Sequence, residues 1–255
     1  SKPLDLTMKN NDTYDTFYDP LYDPFIAPVC HESIQVVFED EYILVINKPS
    51  GLLSLSGKNP LNKDSVHYRL VQQYPSATMA HRLDFGTSGV MVLALNKTVN
   101  GHLTRQFQER TVSKTYTAIL RGHVESDEGR IDIPIIKDAD NFPYQKVCYT
   151  TGKNALSHYQ VIERLKDPCS TRVLFTPHTG RTHQLRIHSQ AIGHPILGCD
   201  LYGDNGKRVN ENDTVDKVTI SSFSMAERLL LHATTLGFEH PVSGEKLQFE
   251  VACPF

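Results

Sequence analysis

His81-Arg82-Leu83-Asp84-Phe85-Gly86-Thr87-Ser88-Gly89, running straight into the apolar stretch 90–95, is the segment on which the reading of this chain turns. A carboxylate two residues after an arginine, followed by a Gly-rich turn that feeds a buried strand, reads as an active-site loop. Taken alone, Asp84 would be a turn aspartate bonded to nearby backbone. Its company argues otherwise. Asn47-Lys48-Pro49-Ser50-Gly51-Leu52-Leu53 lies upstream, and downstream come Lys114-Thr115-Tyr116 and the run Gly180-Arg181-Thr182-His183-Gln184-Leu185-Arg186-Ile187-His188.

The pattern around these blocks is mixed. Alternation at Ile34, Val36 and Phe38, a polar Glu39-Asp40-Glu41 turn and the apolar run 43–46 predict a strand hairpin that delivers Lys48. A helix is expected over 65–74, with Asp64 or Ser65 as its cap and Pro75 beyond its end. Val90–Leu95 reads as a central strand, 98–110 as a surface helix, and 114–120 as a strand with Lys114, Tyr116, Ala118 and Leu120 on one side. Further strands are expected at 156–164, 172–176, 229–238 and 246–252, and a helix at 182–192 closed by Gly193. Strands without regular strand-helix alternation predict an α+β fold with a mostly antiparallel sheet. Residues 1–30, with their Tyr-Asp-Pro and Asp-Pro repeats, read as an irregular N-terminal arm before one domain over 31–255, and the polar stretch 203–222 as a loop.

Composition is compatible with a soluble globular protein: 255 residues, 39% hydrophobic and 22% charged, with no apolar run long enough to span a bilayer. Neither a basic n-region nor an apolar h-region stands at the N-terminus, so a cytoplasmic protein is expected. The five cysteines, Cys30, Cys148, Cys169, Cys199 and Cys253, form no CxxC pair and read as reduced thiols. A net charge of -3 conceals an uneven distribution. Residues 1–47 carry two lysines against nine acids, whereas 81–121 carry Arg82, Lys97, Arg105, Arg110, Lys114 and Arg121 against Asp84 and Glu109. Residues 170–199 hold Arg172, Arg181 and Arg186 and no acid. Basic charge over the chemical blocks suits a phosphodiester substrate.

These four blocks, in this order, resemble the RluA family of RNA pseudouridine synthases, and the similarity runs from about Phe38 to Tyr202 with a weaker match at 229–233. The resemblance implies the bilobed pseudouridine synthase fold, with a central catalytic cleft across the sheet. It also implies isomerisation of specific uridines in structured RNA, without metal or organic cofactor. That chemistry breaks the N1–C1′ bond, turns the base and joins C5 to C1′. It needs a carboxylate that acts as nucleophile at C1′ or base at C2′, and the sequence leaves both routes open. By resemblance the carboxylate is Asp84, and Arg181 is the guanidinium paired with it, which would keep it charged in a dehydrated pocket. Tyr116 would stack on the base and help remove the C5 proton, and Leu185 would pack against the base. Arg82 would fill the space left by the everted nucleotide. Lys114 and Lys48 complete the substrate-binding set, Lys48 as a structural or phosphate-facing group. No small S4 RNA-binding module precedes Lys48, and the 146–153 stretch is most like the branch that modifies both large-subunit ribosomal RNA and tRNA.

Other chemistries fit poorly. Asp84-Phe85-Gly86 copies a kinase motif without its nucleotide loop, no G-x-S-x-G is completed, and His178, His183 and His188 are spaced five apart with no HExxH. A non-catalytic RNA-binding or ribosome-assembly protein on the same fold is the alternative. Retention of Asp84, Tyr116 and Arg181 together argues against it, because binding alone needs no buried carboxylate. The chain is expected to work as a monomer with RNA as its partner. Two departures from the family pattern, Cys199 with the acid displaced to Asp200, and Ser157 where threonine is common, are expected to lie away from the catalytic set.

Overall fold

The computed structural model describes residues 25–206 and 228–255. Fifteen elements carry the architecture described below. In chain order they are β1 (Gln35–Glu39), β2 (Ile43–Lys48), α1 (Val66–Val71), β3 (Thr78–Met79), β4 (Ser88–Ala94), α2 (Lys97–Gln108) and β5 (Ser113–Arg121). There follow β6 (Glu128–Asp132), β7 (Ile135–Lys137), β8 (Gln145–Val147), β9 (Leu156–Leu165), β10 (Ser170–Pro177), α3 (Gln184–Ala191), β11 (Leu231–Glu239) and β12 (Lys246–Glu250).

Ten of the strands form one sheet in the order β1-β2-β4-β11-β5-β10-β9-β6, with β12 on β11 and β3 on β4, while β7 and β8 pair separately. Among these named strands every ladder is antiparallel except that of β4 with β11. The α+β class and the mostly antiparallel sheet thus match the sequence pattern. The parallel contact is short, Ser88 opposite His232 and Gly89 opposite Ala233, after which β11 leaves β4 and takes β12 as its neighbour. This divergence separates two cores. One gathers the buried faces of β2, β4, α1 and α2, and the other those of β5, β10 and α3. Tyr116 packs against both.

Local chemistry explains the elements. All seven residues of β4 are buried, as its continuous apolar run requires. The Ser65 hydroxyl accepts from the Tyr68 amide and starts α1, and Asn96 caps α2 by accepting from the Val99 amide. Gln106 fastens α2 to β11 by donating to the Glu239 carbonyl and accepting from the Glu239 amide. β3, β6, β7 and β8 were not expected. β6 (EGRID) buries one residue and takes its conformation from pairing with β9.

The expected arm at 1–30 lies outside the described residues up to position 24, and the rest is an irregular strap held by side chains. Asn62 donates to the Phe25 carbonyl and accepts from the Ala27 amide. Arg69, fixed by both oxygens of Asp64, donates to the carbonyls of Cys30 and Glu32. Of the expected loop at 203–222, residues 207–222 lie outside the described residues. Asp204, at its start, pairs with Arg121.

Gly89 makes the lobe junction possible. Its φ is +123°, and a Cβ there would stand 2.1 Å from the Ala233 carbonyl oxygen. Gly89→Ala should separate β4 from β11 and lower stability by more than about 3 kcal/mol; thermal melting of the purified variant measures this, and a wild-type melting temperature would contradict it.

Candidate active site

A cleft of about 2100 Å³ opens where β4 and β11 diverge, lined from both lobes. Asp84 sits in it on the turn before β4, and this turn is tied down by side chains from the preceding block. Lys48 is fully buried, and its Nζ donates to the carbonyls of Pro49 (2.9 Å), Leu52 (2.6 Å) and Phe85 (3.0 Å). Ser50 donates to the Gly86 carbonyl and Ser54 to that of Leu83. Burial lowers the Lys48 amine to about 7 while the nearby Asp84 charge raises it. Three carbonyl acceptors favour the ammonium, the form with three donors. Lys48 was expected in the substrate-binding set as a structural or phosphate-facing group, and its geometry fits the structural alternative: its amine is consumed by backbone and braces the Asp84 turn.

The guanidinium facing Asp84 is a correction. Arg181 Nε donates to the Asn154 carbonyl at 2.9 Å, at the rim. It is Arg186 whose Nη1 donates to Asp84 Oδ2, at 3.5 Å. Arg181 precedes α3 and points outward, whereas Arg186 lies within the helix, where residues 184–189 are all buried. Its remaining donors are used: Nε meets the Cys199 sulfur at 3.3 Å, Nη2 meets Asp200 Oδ1 at 2.7 Å, and the fork lies over the Tyr202 ring. Burial works against the Arg186 charge, but Cys199, Asp84 and Asp200 outweigh it and raise its pKa above the ordinary value. Cys199 and Asp200 therefore hold in place the arginine that faces Asp84.

The other sequence-predicted residues converge on the cleft. Tyr116, opposite Ala233 on β11, lines it, and burial, reinforced by the Asp84 charge, pushes its phenol pKa up so that it stays protonated. Leu185, next to Arg186, is buried and lines it as well. Lys114 lies on the same wall, its pKa lowered by burial. Arg82 is exposed at the mouth, and its side chain has no hydrogen bond or ion pair among the described residues.

Two histidines support this arrangement. The His81 ring stacks on Phe107 at 4.5 Å, and its Nε2 accepts from the Val92 amide, which requires the neutral ring. His183 begins α3 in the left-handed conformation, φ 57°, and its Nδ1 bonds the Tyr202 hydroxyl at 2.7 Å. The sequence signal for Arg186 was its place between Leu185 and Ile187: an arginine on an apolar helix face must find a carboxylate.

A sequence model of the RNA pseudouridylate synthase family matches residues 42–191. The chain belongs to that family. It converts uridine in RNA to pseudouridine, an isomerase reaction. It is 48% identical to the dual-specificity RNA pseudouridine synthase RluA of Yersinia pestis, over 86% of this chain and 99% of that one. Its identity to the protein of the same description from Escherichia coli K12 is 44%, over 86% of this chain and 93% of the relative. The solved structure of human RNA Pseudouridylate Synthase Domain Containing 1 superposes with a TM-score of 0.68 at 30% identity, covering 89% of this chain and 86% of the human one. The bilobed α+β expectation therefore agrees with the family fold.

Two outcomes are expected. Arg186→Met should reduce single-turnover pseudouridine formation by about 100-fold or more, in the range lost when a preorganised electrostatic group is removed, while Arg181→Met should chiefly weaken RNA binding. Equal losses in rate would remove the distinction.

Burial lowers His81 to about 3 and His183 to about 4, both below the ordinary 6.5. Their contribution to folding is therefore complete above about pH 6.5 and is lost as pH falls toward 4, by at most about 1.4 kcal/mol per pH unit for each ring. A urea midpoint that stays constant between pH 7 and 5 would contradict neutral burial of both rings.

Proposed function

We propose that Asp84 is the carboxylate that attacks C1′ or deprotonates C2′ of a uridine bound in this cleft, and that Arg186 orients it. The observation that carries the reading is the Arg186–Asp84 pair at the foot of a basic cleft, beside Tyr116. Tyr116, packed against both cores, and Leu185 of α3 flank the base. A phenol held protonated suits Tyr116 for stacking and for hydrogen bonding to the base, and any part in removing the C5 proton requires that it give up its own proton in the same step. Arg82, free at the mouth, fills the space left by the everted nucleotide. Lys114 and Arg181 contact phosphate. The reaction exchanges no electrons and no water, so neither metal nor organic cofactor enters it.

The substrates we assign are large-subunit ribosomal RNA and tRNA, presented as stem-loops. Support comes from the relatives described as dual-specificity enzymes, matched over nearly their whole length. We further assign the protein to the cytoplasm as a monomer, the location in keeping with five free cysteines.

Asp84→Asn should abolish pseudouridine formation and leave folding and most of the RNA affinity intact, because the amide is nearly isosteric yet serves neither as nucleophile nor as base. Tritium release from C5-labelled ribosomal and transfer RNA reads this directly, and turnover near the wild-type rate would defeat the assignment. Mapping pseudouridines in both RNA classes from cells lacking the gene tests the dual specificity.

A further inference from the structure

Helix α2 ends in an unusual residue. The Arg110 amide donates to the Phe107 carbonyl (3.2 Å) and the Thr111 amide to that of Gln106 (3.1 Å), the paired bonds of a Schellman turn. Such a turn places its central residue in the left-handed region, which glycine occupies without steric cost. Here the position is filled by Arg110, with φ 58°. Among the described residues only His183, at the foot of the cleft, is another non-glycine with positive φ.

The Arg110 side chain does nothing visible for the fold. It is exposed and has no hydrogen bond, ion pair or ring contact among the described residues. It nevertheless lines the cleft, with Thr104 and Gln108 of the same helix and with Lys114 just beyond. A strained backbone position occupied by a long, unpartnered cation beside a substrate cleft is explained by what it touches when the cleft is full.

We propose that Arg110 is an RNA-contacting residue that binds a backbone phosphate of the strand leading into the cleft, and that the left-handed turn is retained because it aims the guanidinium there. The inference rests on the RNA reading above and adds a contact to it. Lys114, whose Nζ lies beside Gly180, and Arg181 belong to the lobe of β5 and α3, so Arg110 at the end of α2 adds a cation from the other side of the cleft. A phosphate contact fixes register and orientation without reading sequence, so Arg110 serves both RNA classes alike.

Arg110→Gly separates this role from a structural one, because it relieves the backbone while removing the charge. The variant should melt about 1–3 °C higher than the wild type. Its affinity for an unmodified tRNA transcript should fall, the slope of log K against log salt should become shallower by about one, and KM should rise about 5- to 10-fold with kcat little changed. Arg110→Lys should restore most of the slope. Arg110→Asn, which tolerates the same conformation, repeats the test should glycine loosen the turn. An Arg110→Gly protein with wild-type salt slope and KM would overturn the proposal and leave Arg110 as a helix-end residue. The binding comparison uses one RNA and reads the contact whether or not that RNA is turned over; a wild-type chain that forms no pseudouridine in any RNA would count against the activity instead.

Discussion

Lys48 sets the terms for the site. A buried ammonium must find an acceptor for each of its three protons, and in this fold all three are backbone carbonyls, from Pro49, Leu52 and Phe85. Those carbonyls belong to two loops far apart in sequence, so satisfying one charge locks the Pro49–Leu52 turn to the turn that carries Asp84. Ser50 and Ser54 extend the same lock with their hydroxyls. Catalytic geometry needs this kind of rigidity, since a group must be held in its productive position before substrate arrives. Lys48 stands opposite Gly89 in the β2–β4 ladder, and Gly89 stands opposite Ala233 in β11. The brace on the Asp84 turn and the joint between the lobes therefore share one line of backbone.

Arg186 applies the same logic from the other lobe. Its fork is divided among Asp84, Asp200 and the Cys199 sulfur, so the pair with Asp84 is part of a larger arrangement. Its long 3.5 Å contact to Asp84, against 2.7 Å to Asp200, leaves Asp84 the less tightly held carboxylate. Asp200 carries most of the task of fixing the guanidinium.

Much of the fold was legible because the sequence states it locally. The β1–β2 hairpin, the buried β4 and the cap of α1 follow from apolar runs and polar stops within a few residues. β3, β6, β7 and β8 were not legible, since short or charged strands owe their conformation to a partner elsewhere in the chain. The same limit governs the site. Asp84, Tyr116 and Leu185 could be named from their blocks and do meet in the cleft, but Arg181 and Arg186 stand five positions apart in one run, and only burial on α3 separates the rim residue from the one on Asp84. The contact of Cys199 and Asp200 with Arg186 spans 13 and 14 residues, and no local pattern announces it.

The way β11 changes neighbours bears on how the enzyme can move. Because that strand is paired with β4, β5 and β12 at once, the two lobes share a continuous backbone scaffold and cannot swing about a linker as hinged domains do. Closing over a substrate by rotation of the lobes would break sheet hydrogen bonds at its centre. The flexible partner in the complex is then the nucleic acid: it bends to a fixed mould, and selection among RNAs becomes a comparison of how much each loop costs to deform.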